Sequence, residues 1–154
     1  MKIVVNGRSL AVDGKWEKES LLCFLREKLD LTGAREGCGT GACGTCTVLV
    51  DGTARPACRL TLGDVAGNKI VTIEGMTGDD GGLHPLQQAF IDHGAVQCGF
   101  CTPGMILRAH AFLLKNNRPS RGEIRRAISP NLCRCTGYQQ IIDAIDAAAW
   151  SYGQ

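Results

Sequence analysis

Short apolar segments separated by turn signals occupy the first part of the chain. The predicted strands are residues 2–5, 9–12, 47–50 and 70–73. Asn6-Gly7 and Asp51-Gly52 each follow one of these strands, and both dipeptides favour the two-residue turn of a hairpin. Between the hairpins, Ser20 is a candidate N-cap for a helix whose apolar residues recur at helical spacing as far as Leu29. This part therefore predicts strands wrapped round one helix, with a further short helix over residues 60–65.

Helical spacing replaces the strand pattern beyond residues 76–82, a segment rich in glycine and aspartate that has the composition of a linker. The predicted helices are residues 85–93, 103–114, 120–128 and 137–150. Ser120 and Glu123 form a capping-box pattern at the start of the third helix, and Gly94 follows the first as a C-cap. The sequence thus predicts an α+β chain. Its parts are a domain over residues 1–75, a linker over residues 76–82 and an all-α four-helix bundle over residues 83–154.

Composition narrows the class of protein. The 154 residues carry a formal net charge of +2 and an apolar fraction of 44%, which are ordinary values for a globular chain. No basic run suggests nucleic acid, and no apolar segment approaches the roughly 18 residues that a membrane span needs. The apolar run at the start ends at Asn6, too soon for a secretory signal, so we expect a cytoplasmic protein.

Nine cysteines are many for a cytoplasmic chain, in which disulfides are rare. Eight of them form two sets of four. The first cysteine set is Cys38, Cys43, Cys46 and Cys58, and the second cysteine set is Cys98, Cys101, Cys133 and Cys135. The ninth cysteine, Cys23, lies inside the apolar helical segment, where we expect it to be a small core residue.

The first cysteine set has the spacing C-x4-C-x2-C, with a fourth cysteine after eleven more residues. This spacing in a glycine-rich loop is typical of the [2Fe–2S] site of plant-type ferredoxins. Glycines allow the chain to curl round a compact anionic group, with backbone N–H groups pointing inward. A structural zinc site is the alternative, but zinc modules favour paired C-x2-4-C spacings. Together with the predicted strands and helix around it, the loop indicates a β-grasp, ferredoxin-like domain.

The second cysteine set consists of a C-x2-C pair and a C-x-C pair, each followed directly by threonine. Thr102 and Thr136 can each cap a helix, so both pairs are predicted at helix N-termini. Two positive helix ends that converge on four thiolates favour an anionic cluster there. We therefore expect a second [2Fe–2S] cluster in the bundle.

Three segments that contain cysteines resemble the small iron–sulfur subunit of the molybdenum hydroxylases, the xanthine oxidase and dehydrogenase family. They are residues 36–46, 97–104 (QCGFCTPG) and 131–138 (NLCRCTGY), and the resemblance extends over nearly the whole chain. The second cysteine set makes the resemblance specific, because a plant-type loop alone would indicate only a ferredoxin. Ser129-Pro130 departs from the family, whose members usually have glycine before the asparagine, and we expect a local difference in this turn.

The resemblance implies an electron-transfer subunit of a molybdopterin-dependent hydroxylase or dehydrogenase complex. The second cysteine set would then hold the cluster nearest the molybdenum, and the first cysteine set the distal cluster. Gln97 matches the glutamine that hydrogen-bonds the pterin, and Cys135 is expected beside the same cofactor. Molybdopterin, in bacteria often the cytosine dinucleotide, is expected on a large partner subunit, and FAD on a medium subunit that some relatives replace with a cytochrome acceptor. These partners imply a hetero-oligomer, for which a dimer of heterotrimers is one arrangement.

Other functions fit the sequence less well. A free-standing two-cluster electron carrier is one alternative, but a shuttle needs a single cluster and is usually acidic, whereas this chain is slightly basic. A zinc-stabilised interaction module is the other. No Ser/His/Asp, Cys/His or paired-carboxylate set is placed for catalysis, so we predict no catalytic residue and no substrate site in this chain. His84, His93 and His110 are scattered without ligand spacing, and Arg134 either offsets cluster charge or is a surface arginine.

Overall fold

A five-stranded mixed sheet forms the N-terminal half of the protein, with strand order β2-β1-β5-β3-β4. The structure is a computed structural model that describes residues 1–78 and 80–153. The strands of the sheet are β1 (Lys2–Val5), β2 (Arg8–Ala11), β3 (Thr47–Val50), β4 (Thr53–Pro56) and β5 (Lys69–Val71). Two antiparallel hairpins, β1–β2 and β3–β4, are joined by β5, which runs parallel to β1 and antiparallel to β3. Residue 79, in the predicted linker, and residue 154, at the end of the predicted bundle, lie outside the described residues.

The backbone confirms both predicted hairpin turns. Asn6 and Gly7 have φ angles of 48° and 78°, and Asp51 and Gly52 have φ angles of 46° and 77°. Positive φ at both central residues is the geometry of a type I′ turn, which matches the right-handed twist of the strands. Strand β2 begins and ends one residue earlier than predicted. Strand β5 is shorter than predicted, because Ile73 opens a 3-10 turn instead of continuing the strand.

A short helix, α1 (Leu21–Cys23), continues as a π-helical turn (Phe24–Lys28) and packs its leucine side chains into the core of the N-terminal half. Ser20 is the N-cap, as predicted, and its hydroxyl accepts a hydrogen bond from the backbone N–H of Cys23. The prediction that Cys23 is a core residue is wrong. Its side chain is exposed beside two glutamates, because leucine and phenylalanine side chains fill the buried side of the helix. The predicted helix over residues 60–65 is reduced to a 3-10 turn, Gly63–Val65.

The C-terminal half is a bundle of four helices in the described part of the chain. They are α2 (Pro85–Asp92), α3 (Thr102–Leu113), α4 (Arg121–Ile128) and α5 (Gln139–Ala149). Helix α2 packs on α5, α3 on α4, and α4 on α5, around an aliphatic core. The predicted capping box between Ser120 and Glu123 is present, and an unpredicted one joins His84 and Gln87 at the start of α2. Within residues 1–78 and 80–153, none of the helices has the length and hydropathy required to cross a membrane.

Two predicted helix starts are wrong. Helix α3 begins at Thr102 itself, with the preceding cysteine as its N-cap residue, so Thr102 does not cap it. Helix α5 begins at Gln139, two residues later than predicted. Gly137 and Tyr138 have φ angles of 63° and 71°, which a right-handed helix cannot accommodate. The hydroxyl of Thr136 instead accepts a hydrogen bond from the backbone N–H of Tyr138 (3.3 Å).

The two halves pack directly against each other through α3, which lies on β3 and β4. Leu49 of β3 is part of the buried core of the bundle. Gly104 of α3 lies so close to the loop of the first cysteine set that a Cβ there would collide with the carbonyl oxygen of Gly44. The predicted linker therefore connects two parts of the chain that share an interface.

Candidate iron–sulfur sites

The first cysteine set lies on the loop between α1 and β3 and on the 3-10 turn Ala57–Arg59 that follows β4. The β3–β4 hairpin folds the chain back, so that the backbone N–H of Ala57 donates to the carbonyl oxygen of Cys46 (3.1 Å) and Cys58 comes beside Cys46. Three glycines of the loop have positive φ angles, which let the loop curl round its thiols. They are Gly39 (66°), Gly41 (83°) and Gly44 (75°).

Hydrogen bonds and burial give the four thiols of the first cysteine set different environments. Hydrogen bonds from Thr40, and then from Cys43, lower the pKa of the exposed Cys38 thiol to about 5; the Thr40 backbone nitrogen lies 3.3 Å from its sulfur. Burial raises the pKa of Cys46 to about 12, and the neighbouring thiols of Cys58 and Cys43 act on it as well. A bound metal deprotonates a coordinating thiol outright, which offsets the effect of burial. The four thiols therefore form one interacting group.

The second cysteine set comes from two loops, one between α2 and α3 and the other between α4 and α5. The Sγ atoms of Cys98 and Cys135 lie 3.5 Å apart, although 37 residues separate them in the chain. Burial raises the pKa of Cys101 to about 12, and the neighbouring thiol of Cys133 contributes to the same shift. The sulfur of Cys133 also contacts the hydroxyl of Thr136 at 3.1 Å. The structure thus brings all four predicted residues of this set together.

Tyr138 shapes the loop of the C-x-C pair from the start of α5. Its hydroxyl accepts a hydrogen bond from the backbone N–H of Cys133 (2.8 Å) and donates to the carbonyl oxygen of Asn131 (3.4 Å). The left-handed backbone at Gly137 and Tyr138 delays the start of α5 and leaves these residues in the cysteine loop. The predicted helix N-terminus therefore lies further from the C-x-C pair than the sequence indicated.

The donors of the two cysteine sets fit binuclear iron–sulfur clusters. A [2Fe–2S] cluster is held by four cysteine thiolates, and each set offers four thiols. Within residues 1–78 and 80–153, no group of three or more His, Cys, Asp or Glu side chains is close enough to hold a single metal ion.

A cavity of about 460 Å³ lies where the two cysteine sets face each other. Cys38 and Cys43 of the first set line it, together with all four cysteines of the second set. Phe100, Leu132 and Arg134 also contribute to its wall. The two candidate sites are therefore neighbours across the interface between the halves of the protein, as electron transfer between them requires.

Gln97, the residue predicted to contact the pterin, lies on the bend that precedes α3. Its side chain is exposed, and it directly precedes the exposed thiol of Cys98. Cys135, the other predicted contact, is exposed as well and meets the sulfur of Cys98. Both predicted residues therefore lie at the same accessible edge of the second cysteine set.

Two of the three histidines, which are scattered in the sequence without ligand spacing, meet in the fold. The rings of His84 and His110 have centroids 5.0 Å apart, and Nδ1 of His110 lies 2.6 Å from the hydroxyl of Tyr152. Burial, and then the charge of His84, lower the pKa of His110 to about 4. This group joins α2 and α3 to the C-terminal turn, away from both cysteine sets. His93 is exposed at the end of α2.

Two residues of a hydrogen-bonded chain that reaches the loop of the first cysteine set were missed from the sequence. Asn131 is buried and its side chain bonds to the loop of the first set, while Arg108 of α3 donates to Asn131. The only sequence signal for Asn131 is its position two residues before Cys133, inside a segment used for the family resemblance. Arg108 carries no sequence signal, because its role depends on a contact across the fold.

Comparison with known proteins relates both halves of the chain to iron–sulfur domains. The family described as 2Fe-2S iron-sulfur cluster binding domain matches residues 12–87, and the family described as [2Fe-2S] binding domain matches residues 72–146. The chain is 46% identical over 141 residues to the nicotinate dehydrogenase small FeS subunit of Eubacterium barkeri, a match that covers 92% of this chain and 88% of the relative. It is 45% identical over 145 residues to the nicotine 6-hydroxylase small subunit of Paenarthrobacter nicotinovorans, covering 93% and 85% of the two chains.

Solved structures share the fold. Quinoline 2-oxidoreductase from Pseudomonas putida 86 matches with a TM-score of 0.91 and 41% identity, over 99% of this chain and 94% of that chain. Aldehyde oxidoreductase from Desulfovibrio desulfuricans matches with a TM-score of 0.88 and 45% identity, over 96% of this chain but 16% of that longer chain. These findings confirm the α+β architecture and the expectation of two [2Fe–2S] clusters. The chain belongs to the small iron–sulfur subunits of the molybdenum hydroxylase family, and it is the electron-transfer subunit of an oxidoreductase complex that contains other subunits.

Proposed function

We propose that the first cysteine set holds the distal [2Fe–2S] cluster and that the second cysteine set holds the cluster nearest the molybdenum of a partner subunit. The observation that most directly supports the second cysteine set as one ligand group is the meeting of Cys98 and Cys135, whose sulfurs lie 3.5 Å apart across 37 residues. When bound, each cluster supplies a one-electron carrier. The residues of this chain hold the irons, adjust the charge on the sulfurs and keep the two sites close together.

Hydrogen bonds to sulfur are the first contribution of the chain to the properties of these sites. The backbone nitrogen of Thr40 and the hydroxyl of Thr45 lie 3.3 Å and 3.2 Å from sulfurs of the first set. The hydroxyl of Thr136 lies 3.1 Å from a sulfur of the second set. Donors to sulfur stabilise negative charge on the thiolate, and such hydrogen bonds are among the features that set the reduction potential of an iron–sulfur site.

An apolar rim beside the exposed thiols of the second set supports docking, at this edge, of the large molybdopterin-binding subunit. Val96, Phe100 and Leu132 are 40%, 44% and 52% exposed. Large apolar side chains grouped at a surface are typical of protein interfaces. Gln97 lies in the same rim, and its amide both donates and accepts hydrogen bonds, which suits the mixed polar edge of a pterin. Cys135, also exposed here, would lie beside the same cofactor.

The first cysteine set would serve the acceptor side of the complex. Its Cys58 lines a surface pocket that is separate from the cavity between the two sets, so an acceptor can approach the first set there without rearrangement of the fold. The acceptor would be FAD on a medium subunit, or a cytochrome in complexes that lack one. The assembly would be a hetero-oligomer, with a dimer of heterotrimers as one arrangement, and its molybdopterin the cytosine dinucleotide form.

Two separate apolar cores support a division into domains at residues 1–75 and 83–154, with residues 76–82 as the linker. One core is made of residues between Ile3 and Ile70. The other is made of residues between Met76 and Ala149, with Leu49 as its contribution from the sheet, so Met76, the first residue of the proposed linker, already packs in the core of the bundle. We place the protein in the cytoplasm, where a reducing environment keeps cysteines available for iron.

Single cysteine variants test the ligand assignment in the complex purified with its partner subunits. Cys58→Ser is expected to remove the EPR signal of one cluster, and Cys133→Ser that of the other. Cys23→Ala is the matched control and should keep both signals, because this exposed thiol lies outside both sets. Loss of both signals from each of the first two variants would contradict two separate ligand sets. Loss of iron from the control would mean that a ligand is misassigned.

A further inference from the structure

A buried asparagine joins the two halves of the protein. Asn131 is 1% exposed, and its Nδ2 group donates to the carbonyl oxygen of Gly44 (2.9 Å) and to the hydroxyl of Thr47 (3.3 Å). Gly44 lies between two cysteines of the first set, and Asn131 lies two residues before Cys133 of the second set. One side chain therefore connects the two segments that carry the cysteine sets.

Close contacts between backbone segments also connect the two halves at this point. The backbone N–H of Leu132 donates to the carbonyl oxygen of Cys43 (2.9 Å). A Cβ at Gly44 would lie 2.6 Å from Cγ of Asn131, and a Cβ at Gly104 would collide with the carbonyl oxygen of Gly44. The absence of side chains at both glycines lets the loop, α3 and the asparagine meet at these distances. The separation of the two sites is therefore fixed by direct contact.

The asparagine side chain also has a cationic neighbour, Arg108. The Nε–H group of Arg108 donates to Oδ1 of Asn131 (3.0 Å). Burial lowers the pKa of the half-buried guanidinium, but arginine remains charged at physiological pH. None of the ion pairs within residues 1–78 and 80–153 includes Arg108. A cation removed from water normally has an anionic partner, because its desolvation otherwise costs free energy.

We propose that Asn131 and Arg108 are positioning residues of the electron path: Asn131 fixes the distance between the two clusters, and Arg108 supplies positive charge that favours their reduction. The inference rests on the ligand assignment proposed above. An electron received at either site adds one negative charge, and a nearby cation lowers the energy of that reduced state. The hydrogen-bonded chain from Arg108 through Asn131 ends at Gly44, directly beside Cys43.

Arg108→Gln tests the charge, since glutamine can still donate a hydrogen bond to Asn131. In the complex purified with its partners, a redox titration followed by EPR should show that reduction of at least one cluster becomes about three- to tenfold less favourable. Arg108→Lys keeps the positive charge, so reduction of the cluster should be nearly as favourable as in the wild-type complex. Arg118→Gln removes an exposed arginine between α3 and α4 and should change neither potential. Potentials in Arg108→Gln equal to those of this control would overturn the role of the charge.

Asn131→Leu tests the spacing, because it removes the hydrogen bonds and keeps a side chain that branches at Cγ. The magnetic interaction between the two reduced clusters, seen as splitting of their EPR signals at low temperature, should change. Thr47→Val removes one acceptor of the Asn131 amide and should cause a smaller change of the same kind. Unchanged splitting in a variant that keeps its iron, or loss of iron from both variants, would overturn the positioning role. A wild-type complex without two iron–sulfur signals would instead contradict the ligand assignment.

Discussion

Gly104 lies where α3 meets the loop of the first cysteine set, and Gly104→Ala should destabilise the protein. Helix propensity alone would favour alanine by about 0.8–1 kcal/mol. A Cβ at this position would, however, collide with the carbonyl oxygen of Gly44 and lie 3.2 Å from the carbonyl oxygen of Thr45 and 3.3 Å from Nδ2 of Asn131. The first two atoms belong to the backbone and the third to a buried side chain, so none of them can rotate away.

The expected cost follows from these contacts. An added methyl group in a filled interior costs about 1–3 kcal/mol. Moving Asn131 off its acceptors would leave buried polar groups unpaired, at about 1–3 kcal/mol. After the gain in helix propensity of about 1 kcal/mol is subtracted, a net loss of at least about 1 kcal/mol remains. For a chain of this size, the apparent Tm should fall by at least about 2–4 °C.

Gly122→Ala in α4 is the matched control. Its Cβ would lie 3.6 Å from Nη1 of Arg126 and 4.0 Å from the hydroxyl oxygen of Ser120, which are ordinary contacts. This variant should be neutral or more stable by up to about 1 kcal/mol. Thermal unfolding of the cluster-loaded protein, followed by circular dichroism, compares the two variants. Equal Tm values would refute the close approach of α3 to the cysteine loop.

Gln97→Ala should lower the molybdenum content of the complex, measured by metal analysis, or slow the reduction of the cluster nearest the molybdenum, measured by rapid-freeze EPR. If neither quantity changes, Gln97 only packs at the surface. Leu132→Asp should weaken binding to the large subunit by at least about tenfold in a pull-down titration, whereas Leu114→Asp, at a position 60% exposed at the other end of α3, should not. The pKa of His110 is lowered by burial from 6.5 to about 4, so the unfolded chain binds more protons between these values. The contribution of His110 to stability is therefore fully present above pH 6.5 and is lost as the pH falls toward 4, and His110→Phe should flatten this part of the pH dependence in denaturant titrations.

Local features of the fold could be predicted because their causes lie within a few residues. Asn6-Gly7 adopts positive φ at both positions because asparagine and glycine tolerate it, and the strands on either side need that turn. Ser120 and Glu123 satisfy each other's backbone N–H groups across a single helical turn. The assignment of the eight cysteines to two ligand sets stays a prediction, and it rests on their spacing together with the family resemblance.

Features that depend on contacts across the fold could not be predicted. Asn131 bonds to Gly44 across 87 residues, and nothing near either residue in the sequence indicates that they meet. The exposure of Cys23 depends on which side of a three-residue helix faces the sheet, which periodicity cannot decide over so short a length. The late start of α5 depends on the left-handed backbone of Tyr138, a residue that seldom adopts it.

The presence of two distinct [2Fe–2S] clusters in this chain is tested most directly by iron analysis of the purified complex, together with its EPR spectrum at full reduction. The same complex with Cys58→Ser and Cys133→Ser together in this chain gives the iron content of the partner subunits. That value is subtracted from the iron content of the wild-type complex. Eight thiols in two sets predict about four irons in this chain and two EPR signals that differ in shape and relaxation. About two irons with a single signal at full reduction would contradict the assignment of a cluster to each cysteine set.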